Sequence, residues 1–142
     1  MKVLVPVDGS PASIRAVKYA IRLANSGRRP ALVLVNVQNL VTLGLGDIAA
    51  TMPIDWQEKV AADLSRQQLR KAIAVCRATK VPFETVAESG AIAETIARVG
   101  RQTKADHIVM GTRGLGGVRG LLLGSTTTGV VHLTTLPVTL IK

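Results

Sequence analysis

Aromatic side chains are scarce in this 142-residue chain: Tyr19, Trp56 and Phe83 make up 2% of it and lie far apart. Base stacking along a groove needs several aromatic rings, so this composition argues against nucleic-acid binding of that kind. A single cysteine, Cys76, excludes an internal disulfide framework and a multi-cysteine metal site. No apolar run approaches the ~20 residues that a membrane-spanning helix needs, and the start of the chain lacks the layout of a signal peptide. We therefore expect a cytoplasmic protein that does not enter the membrane.

The chain also contains few acidic residues. The chain has 18 Lys and Arg residues against 9 Asp and Glu residues, which gives a formal net charge of +9 at pH 7. Such a balance favours anionic partners, among them nucleotides, nucleic acid and acidic surfaces. The basic residues are spread over several segments at helical spacing, however, and this pattern is typical of the solvated faces of amphipathic helices. The charge alone therefore selects no partner.

Short apolar runs alternate with segments of helical periodicity along the whole chain. We predict strands at 2–7, 31–37, 82–88, 106–111 and 137–141, and helices that start after Ser10, cover 54–79, follow Ser89-Gly90 and start at Ser125. Apolar strands that alternate with helices are typical of a parallel sheet covered on both faces. The length suits one domain over residues 1–142. The predicted fold is therefore α/β, a doubly wound five-stranded parallel sheet with helices on both faces.

Residue types also predict where several elements begin and end. Ser10 and Ser125 are expected to be helix N-caps, because a serine hydroxyl accepts a hydrogen bond from a free N–H of the first turn. The first helix is expected to end at Asn25-Ser26-Gly27. Residues 40–53 contain two glycines and a proline without a clear period. We predict that this segment is one long loop, mobile without ligand, that covers part of a crevice as a lid.

The most informative motif follows the fourth strand and reads Gly111-Thr112-Arg113-Gly114, then nine residues, then Gly124-Ser125. Glycines let the backbone adopt positive φ and approach a ligand closely. The helix N-terminus that follows adds unpaired N–H groups and a dipole that favours negative charge. The motif therefore predicts a phosphate-binding loop. The alternative is a loop that only joins two elements.

In a doubly wound sheet, ligands bind at the carboxyl ends of the strands, where the strand order reverses. The first strand ends at Asp8, the second at Val37 and the fourth at the glycine motif. If the first and fourth strands are neighbours, Asp8 faces the glycine loop across the crevice and is able to hold Mg²⁺ together with phosphate oxygens. The alternative is that Asp8 is a turn or capping residue.

The common motifs of nucleotide enzymes are absent. No G-x-x-x-x-G-K-[ST] loop occurs, and the first strand is not followed by G-x-G-x-x-G. His107 and His132 lack the spacing of metal ligands, and Cys76 lies on an apolar helix face, where packing is its expected role. We therefore expect no catalytic residues and at most slow hydrolysis of a bound ligand.

Several segments, taken in order, resemble the universal stress protein family: residues 3–10, 34–37, 105–114 and 136–141, together with the Gly111-x2-Gly114-x9-Gly124-Ser125 spacing. The full glycine motif is similar to that of the family's adenine-nucleotide-binding branch. The resemblance implies a Rossmann-like protein that binds ATP or another adenine nucleotide and signals in the stress response through a protein partner not specified by the sequence. It also implies a homodimer formed through the last strand, which starts at Pro137 and ends at Ile141.

The resemblance further assigns roles to residues by position. Pro6, Val7 and Asp8 would line the adenosine end, and Val37 would meet the adenine through its backbone. Met110, Gly111, Thr112, Arg113 and Gly114 would surround the ribose and phosphate, and Gly124, Ser125, Thr126 and Thr127 would bind the phosphates, with Mg²⁺ or Mn²⁺ at Asp8. Thr126 stands where the family often has Val, and Asn36 stands where His is frequent. We assign Asn36 no chemistry.

Two other classes of function stay open. One is a slow ATP hydrolase or nucleotidyl-transfer enzyme that uses the same crevice. The other is a basic interaction protein with an empty crevice. Nucleotide that stays bound and unchanged over many hours would exclude the enzyme, and any bound or bindable nucleotide would exclude the empty crevice.

Overall fold

The computed structural model describes residues 1–25, 31–115 and 122–142, and strands and helices alternate along these ranges. The elements are β1 (Lys2–Pro6), α1 (Pro11–Asn25), β2 (Ala31–Gln38), α2 (Gly46–Thr51), α3 (Ile54–Thr79), β3 (Phe83–Ser89), α4 (Ile92–Gln102), β4 (His107–Gly111), α5 (Ser125–Leu133) and β5 (Val138–Ile141). The predicted end of the first helix at Asn25-Ser26-Gly27 lies outside the described residues beyond Asn25.

The five strands form one sheet in the order β3-β2-β1-β4-β5, and all neighbouring pairs are parallel. The predicted doubly wound α/β fold is thereby confirmed. The strand order reverses between β1 and β4, because β1 pairs with β2 on one side and with β4 on the other. The carboxyl ends of β1 and β4 therefore lie side by side, as the interpretation of Asp8 required.

Alternating side chains of the inner strands build a core on each face of the sheet. Val3 and Val5 of β1 pack in one cluster with apolar residues of α1 and α3. Leu4, between them, packs in a second cluster with residues of α4 and α5. All three side chains are fully buried, and burying each contributes about 1.5–3 kcal/mol. Apolar residues at every position of a strand therefore mark burial between two layers of helices.

The longest described helix, α3, has 26 residues and lays one face on the sheet. The buried positions of this face are Ala61, Ser65, Leu69, Ala72 and Cys76, so Cys76 lies on the apolar face of its helix. The rest of the surface is largely exposed. None of the helices in the described ranges combines the length and the hydropathy that a membrane span requires.

The two serine caps turn out differently. The Ser10 hydroxyl accepts a hydrogen bond from the Ser13 N–H at 3.2 Å, so Ser10 caps α1 as predicted. At α5 the N-cap is Gly124, with φ −70° and ψ 161°, and no side chain caps the helix. The prediction for Ser125 is wrong by one residue, since Ser125 is the first helical residue. Because Gly124 has no side chain, no N-cap hydroxyl accepts a hydrogen bond from the first-turn N–H groups of α5.

The segment 40–53 is not a loop without secondary structure, so that prediction is also wrong. It contains the six-residue helix α2. The Gln57 side-chain amide of α3 donates to the carbonyls of Ala49 at 2.7 Å and Met52 at 3.1 Å, and so holds the end of α2. A helix of this length spans fewer than two turns, which is too short to show a hydrophobic period.

Candidate functional site

A cavity of about 410 Å³ lies at the carboxyl edge of the sheet, where β1 and β4 diverge. Its volume falls in the range of about 300–1,000 Å³ that is typical of small-molecule sites. The predicted site residues that line it are Pro6, Val7, Asp8, Val37, Met110, Gly111, Arg113, Gly114, Gly124, Ser125, Thr126 and Thr127. Thr112 is not among the lining residues. Its carbonyl instead accepts a hydrogen bond from the Gly124 N–H at 2.7 Å, which joins the two ends of the glycine motif.

The N-terminus of α5 forms one end of the cavity. The first intrahelical bond runs from the Thr128 N–H to the Gly124 carbonyl at 3.0 Å. The N–H groups of residues 125–127 have no acceptor in the described parts of the chain, and the first turn holds no acidic residue. Three free donors and the positive end of the helix dipole therefore face the cavity. This arrangement is suited to an anion such as a phosphate group.

The Thr127 hydroxyl forms a hydrogen bond inside the protein. The Thr127 side chain is buried, and its hydroxyl donates to the Gly111 carbonyl at 3.0 Å. The hydroxyl proton is therefore used inside the protein, where it fixes the strand end against the helix. The backbone N–H of Thr127 remains a donor toward the cavity, and Ser125 and Thr126 keep their hydroxyl groups free of hydrogen bonds to the described residues.

The glycines of the motif are required for close contact rather than for positive φ. Gly111, Gly114 and Gly124 all have φ outside the left-handed region, contrary to the expectation from their residue type. A Cβ on Gly111 would lie 2.9 Å from Ala12 Cβ, and a Cβ on Gly114 would lie 2.5 Å from Asp8 Oδ2. Side chains at these positions would therefore push apart the elements that enclose the cavity.

Asp8 faces the glycine loop across the crevice and also serves as a turn residue. Its Oδ1 accepts a hydrogen bond from the Ser10 N–H at 2.9 Å, which is the local contact of a capping aspartate. Its Oδ2 accepts from the Leu115 N–H at 3.1 Å, beyond β4. Asp8 is therefore a turn residue that also faces the glycine loop, and its role in holding Mg²⁺ stays a prediction. Asp8 is also the carboxylate among the residues that line the cavity.

The opposite end of the cavity is apolar. Val35 and Val37 of β2, Ile92 and Ile96 of α4 and Met110 of β4 line it together. These strand and helix residues lie together because Val35 and Met110 point to the face of the sheet that α4 covers, where they pack in one core cluster with Ile96. An apolar wall with a polar rim suits the flat face of a heterocyclic base, and Arg113 adds a positive charge at the phosphate end.

Sequence reasoning missed a buried polar cluster beside this wall, formed by Asn36, Gln38, Ser65 and Gln68. The Asn36 amide donates to the Val7 carbonyl at 2.7 Å and to Gln68 Oε1 at 2.8 Å. Asn36 Oδ1 accepts from Ser65 Oγ at 2.7 Å and from Gln38 Nε2 at 2.9 Å. The sequence did contain a signal for this cluster, because Asn36 and Gln38 lie two positions apart, on one face of the otherwise apolar strand β2. Asn36 therefore has a structural role in which all four of its hydrogen-bonding positions are used.

The other titratable residues considered from the sequence, His107 and Cys76, do not line the cavity. His107 Nε2 lies 2.7 Å from Thr139 Oγ1, which ties β4 to β5. Cys76 is buried, and this burial raises the pKa of its thiol to about 11. Within the described ranges, no group of three or more His, Cys, Asp or Glu residues is placed to hold a metal ion.

The parallel sheet, the reversal of strand order between β1 and β4, and the start of α5 at the carboxyl edge of the sheet define a Rossmann-like protein. Within that class the chain belongs to the universal stress protein family, whose model matches residues 1–142. The resemblance drawn from the sequence motifs is thereby confirmed.

Individual relatives agree with this assignment. A universal stress protein of Thermus aquaticus is 36% identical over 142 residues, which cover 99% of this chain and 97% of that protein. The structure of UspA from Lactobacillus plantarum has a TM-score of 0.74 at 25% identity and is matched over 97% of its chain by 100% of this one. A universal stress protein in complex with cAMP has a TM-score of 0.66 at 25% identity, with 99% of this chain and 94% of that one covered.

Proposed function

We propose that the protein is a regulatory protein that binds ATP, or another adenine nucleotide, in one nucleotide-binding domain over residues 1–142. The observation that carries this proposal is the set of free N–H groups at the start of α5, which face the same cavity as an apolar wall. A nucleotide needs both features, because its phosphates are anionic and its base is flat and largely apolar. The family relative in complex with cAMP supports an adenine nucleotide in particular.

The two ends of the cavity set the orientation of the nucleotide. The base lies against Val37 and Met110, with Pro6 and Val7 at the adenosine end. The phosphates lie on the backbone of residues 111–114 and on Gly124, Ser125, Thr126 and Thr127. Arg113 is the cation of the lining residues and is placed to offset phosphate charge. In this orientation the negative end of the ligand meets the positive end of the α5 dipole.

Mg²⁺ or Mn²⁺ fits the proposal only as a metal–nucleotide complex. Asp8 is a single carboxylate at the cavity, and Mg²⁺ in nucleotide sites is held by one or two carboxylates together with substrate phosphates. Asp8 would supply that carboxylate and the ligand would supply the phosphate oxygens. The ion would then neutralise phosphate charge and fix the phosphate chain.

Signalling requires that another molecule senses the bound nucleotide. We place the protein in the cytoplasm as a homodimer whose β5 strands pair, with an adenine-nucleotide-dependent protein partner in the stress response. Edge position supports the pairing, because β5 contacts only β4 within the sheet and leaves its other side without a strand in the described ranges.

The alternative of a slow ATP hydrolase depends on Asp8 as the general base. Each of its carboxylate oxygens accepts one backbone N–H group and keeps a lone pair for a water molecule or a metal ion, so these hydrogen bonds favour neither function. One experiment separates the possibilities. One portion of freshly purified protein is denatured, and the released small molecules are identified by mass spectrometry. A second, native portion is titrated with ATP by calorimetry.

We expect released or bindable adenine nucleotide that remains intact over many hours at stoichiometric protein. Conversion of bound ATP to ADP within that time would support the hydrolase instead. A protein that neither carries nor binds nucleotide would contradict the proposal and favour the basic interaction protein.

A further inference from the structure

The outward sides of α1 and α3 carry charge of one sign. Both helices cover the same face of the sheet, because their buried side chains pack in one core cluster with β1 and β2. Helix α1 contains three basic residues and no acidic residue, and residues 66–80 contain five basic residues and no acidic residue. We call these exposed residues the basic face: Arg15, Lys18, Arg22, Arg66, Arg70, Lys71, Arg77 and Lys80.

The helix layer on the other side of the sheet has a different charge pattern. There α4 contains two basic residues and one acidic residue, and α5 contains no Lys, Arg, Asp or Glu. Arg98 of α4 is also paired with Glu88. Among the residues that the structure describes, the positive charge of the two helix layers is therefore concentrated on the basic face.

Most of the charges on the basic face are not compensated within the protein. Arg66 is paired with Asp63 at 2.8 Å. Arg15 Nε donates to a backbone oxygen of Lys142 at 2.7 Å. The other members have no salt bridge to a carboxylate in the described ranges, namely Lys18, Arg22, Arg70, Lys71, Arg77 and Lys80.

Like charges also recur at the spacings that bring side chains together on a helix. On α1, Lys18 lies three residues after Arg15 and four residues before Arg22. On α3, Arg70 lies four residues after Arg66. Residues at these spacings are neighbours on the helix surface, and like charges there destabilise the helix. An anion bound across several of these side chains would offset the repulsion, so the pattern indicates a polyanionic partner.

The chemistry of the basic face favours one class of polyanion. In the described ranges, no exposed large apolar side chain belongs to α1 or to residues 66–80. Protein interfaces centre on aromatic or other large anchors, and helices that lie on a membrane insert apolar residues into it. Interfaces with DNA are instead polar and strongly positive. A surface with cations and without apolar anchors therefore fits the phosphate backbone of a nucleic acid.

We propose that the basic face binds the phosphate backbone of duplex DNA without sequence preference. The scarcity of aromatic residues still argues against stacking on the bases of a single strand, but phosphate contacts need only cations and other donors. From Arg66 to Arg77 the helix rises about 16.5 Å, since each residue adds about 1.5 Å. One DNA strand advances about 3.4 Å per phosphate, so α3 spans about five phosphates.

This surface is separate from the nucleotide cavity, because none of the eight residues of the basic face lines that cavity. The inference therefore does not rest on the proposed function. It gives the chain a second anionic partner, and it assigns a role to the excess of basic residues that the cavity leaves without one.

The test is a titration of a fluorescein-labelled DNA duplex of about two helical turns with the full chain, followed by fluorescence anisotropy. It is done at about 50 mM and about 200 mM salt, between which each neutralised phosphate lowers the association constant about 3.5-fold. With four or five phosphate contacts we expect a loss of about 100-fold to 500-fold. A single-stranded DNA of the same length should bind more weakly than the duplex.

Two double variants separate the position of the charges from their number. Arg70→Gln with Arg77→Gln removes two cations of the basic face, and Arg101→Gln with Lys104→Asn removes two exposed cations elsewhere. Asn suits position 104 because Lys104 has φ 53°. The first variant should bind the duplex about tenfold more weakly or worse at low salt, and its salt effect should be about 12-fold smaller. The second should behave nearly as the parent, and circular dichroism checks that both fold.

Equal losses in the two double variants would mean that DNA responds only to the net charge, and this would overturn the inference. Absence of binding to the duplex at low salt would overturn it as well, and so would tighter binding to the single strand. Vesicles of equal parts phosphatidylserine and phosphatidylcholine are tested by co-sedimentation. Binding to these vesicles without binding to the duplex would assign the basic face to a membrane surface instead.

Discussion

The Asp8 carboxylate and the Leu115 N–H form a 3.1 Å hydrogen bond that joins the end of β1 to the glycine motif beyond β4. The contact crosses the point where the strand order reverses, so it closes the cavity on the side of the sheet edge. The second carboxylate oxygen is held by the Ser10 N–H. One side chain therefore fixes the start of α1 and the glycine loop at the same time.

We predict that Asp8→Ala weakens ATP binding by about 1–3 kcal/mol, because it removes a charged acceptor that positions the loop and contacts the ligand or its metal. Calorimetric titration with and without Mg²⁺ measures the loss. Asp63→Ala is the control, since Asp63 is an exposed carboxylate that pairs with Arg66 of the same helix. Unchanged affinity together with a large fall in the melting temperature of the ligand-free protein would mean that Asp8 is only a capping residue.

Gly114 must remain without a side chain for a steric reason. A Cβ at this position would lie 2.5 Å from Asp8 Oδ2, far inside van der Waals contact. We expect Gly114→Ala to weaken ATP binding and Gly114→Val to weaken it further, because the loop has to move away from β1 as the side chain grows. Calorimetry on both variants checks the order. Binding of Gly114→Val as tight as that of the parent would contradict the assignment of the loop.

The segment 40–53 is predicted to act as a lid over the cavity. Thr42 and Leu43 line the cavity, while Ile48 of α2 is 55% exposed and makes little apolar contact. Limited proteolysis should cut within this segment, and saturating ATP should slow the cut. The rate is followed by mass spectrometry of the fragments. Equal rates with and without ATP would exclude the lid.

Self-association through β5 is best tested at its backbone. The Ile108 and Thr112 N–H groups donate to the carbonyls of Pro137 and Ile141, so alternate residues of β5 face β4 and Val138 faces the free edge. Val138→Pro removes an outward N–H and leaves the hydrogen bonds to β4 intact, and Val138→Ala is the control for the loss of the packed Val138 side chain. It should convert a homodimer of ~30 kDa, twice the 15.0 kDa chain, to a monomer.

Sedimentation equilibrium measures both forms. A parent protein that sediments as a single 15.0 kDa species at micromolar concentration would contradict the dimer. Replacing Val138 and Leu140 by Lys is a poorer test, because both side chains pack against the core cluster of α4 and α5. Such a variant would lose stability whether or not the protein forms a dimer.

Cys76 should be nearly inert to alkylation at pH 8. Burial raises the pKa of its thiol to about 11, so little thiolate is present below that pH. Because the folded pKa lies above the ordinary thiol value of 9.0, the contribution of the thiol to stability is complete below pH 9 and is lost as the pH rises through about 11. Iodoacetamide labelling across this range checks the first point. The second is measured as the difference in unfolding free energy between the parent and Cys76→Ala, and rapid labelling at pH 8 would contradict both.

The order of strands and helices could be predicted because each depends on local periodicity. The apolar runs of β1 and β2 and the one-sided pattern of α3 determine their own secondary structure within a few residues. The helix α2 could not be found in this way, since it is too short for a period and is held by Gln57 of the next helix. The N-cap of α5 was misplaced because glycine and serine both suit that position, and only the chain direction after Gly124 separates them.

The sequence by itself determined the fold class, the family and the position of the glycine motif after the fourth strand, because these depend on residue types at fixed spacing. Only the tertiary structure decided what Gly114 touches, how Asp8 bonds to Leu115 and how Asn36, Gln38 and Gln68 share their hydrogen bonds. These partners are separated by up to 107 positions in the chain, as Asp8 and Leu115 are. The physical reason is that a hydrogen bond depends on distance and direction in space, and local sequence patterns carry no information about atoms brought together by the packing of different elements.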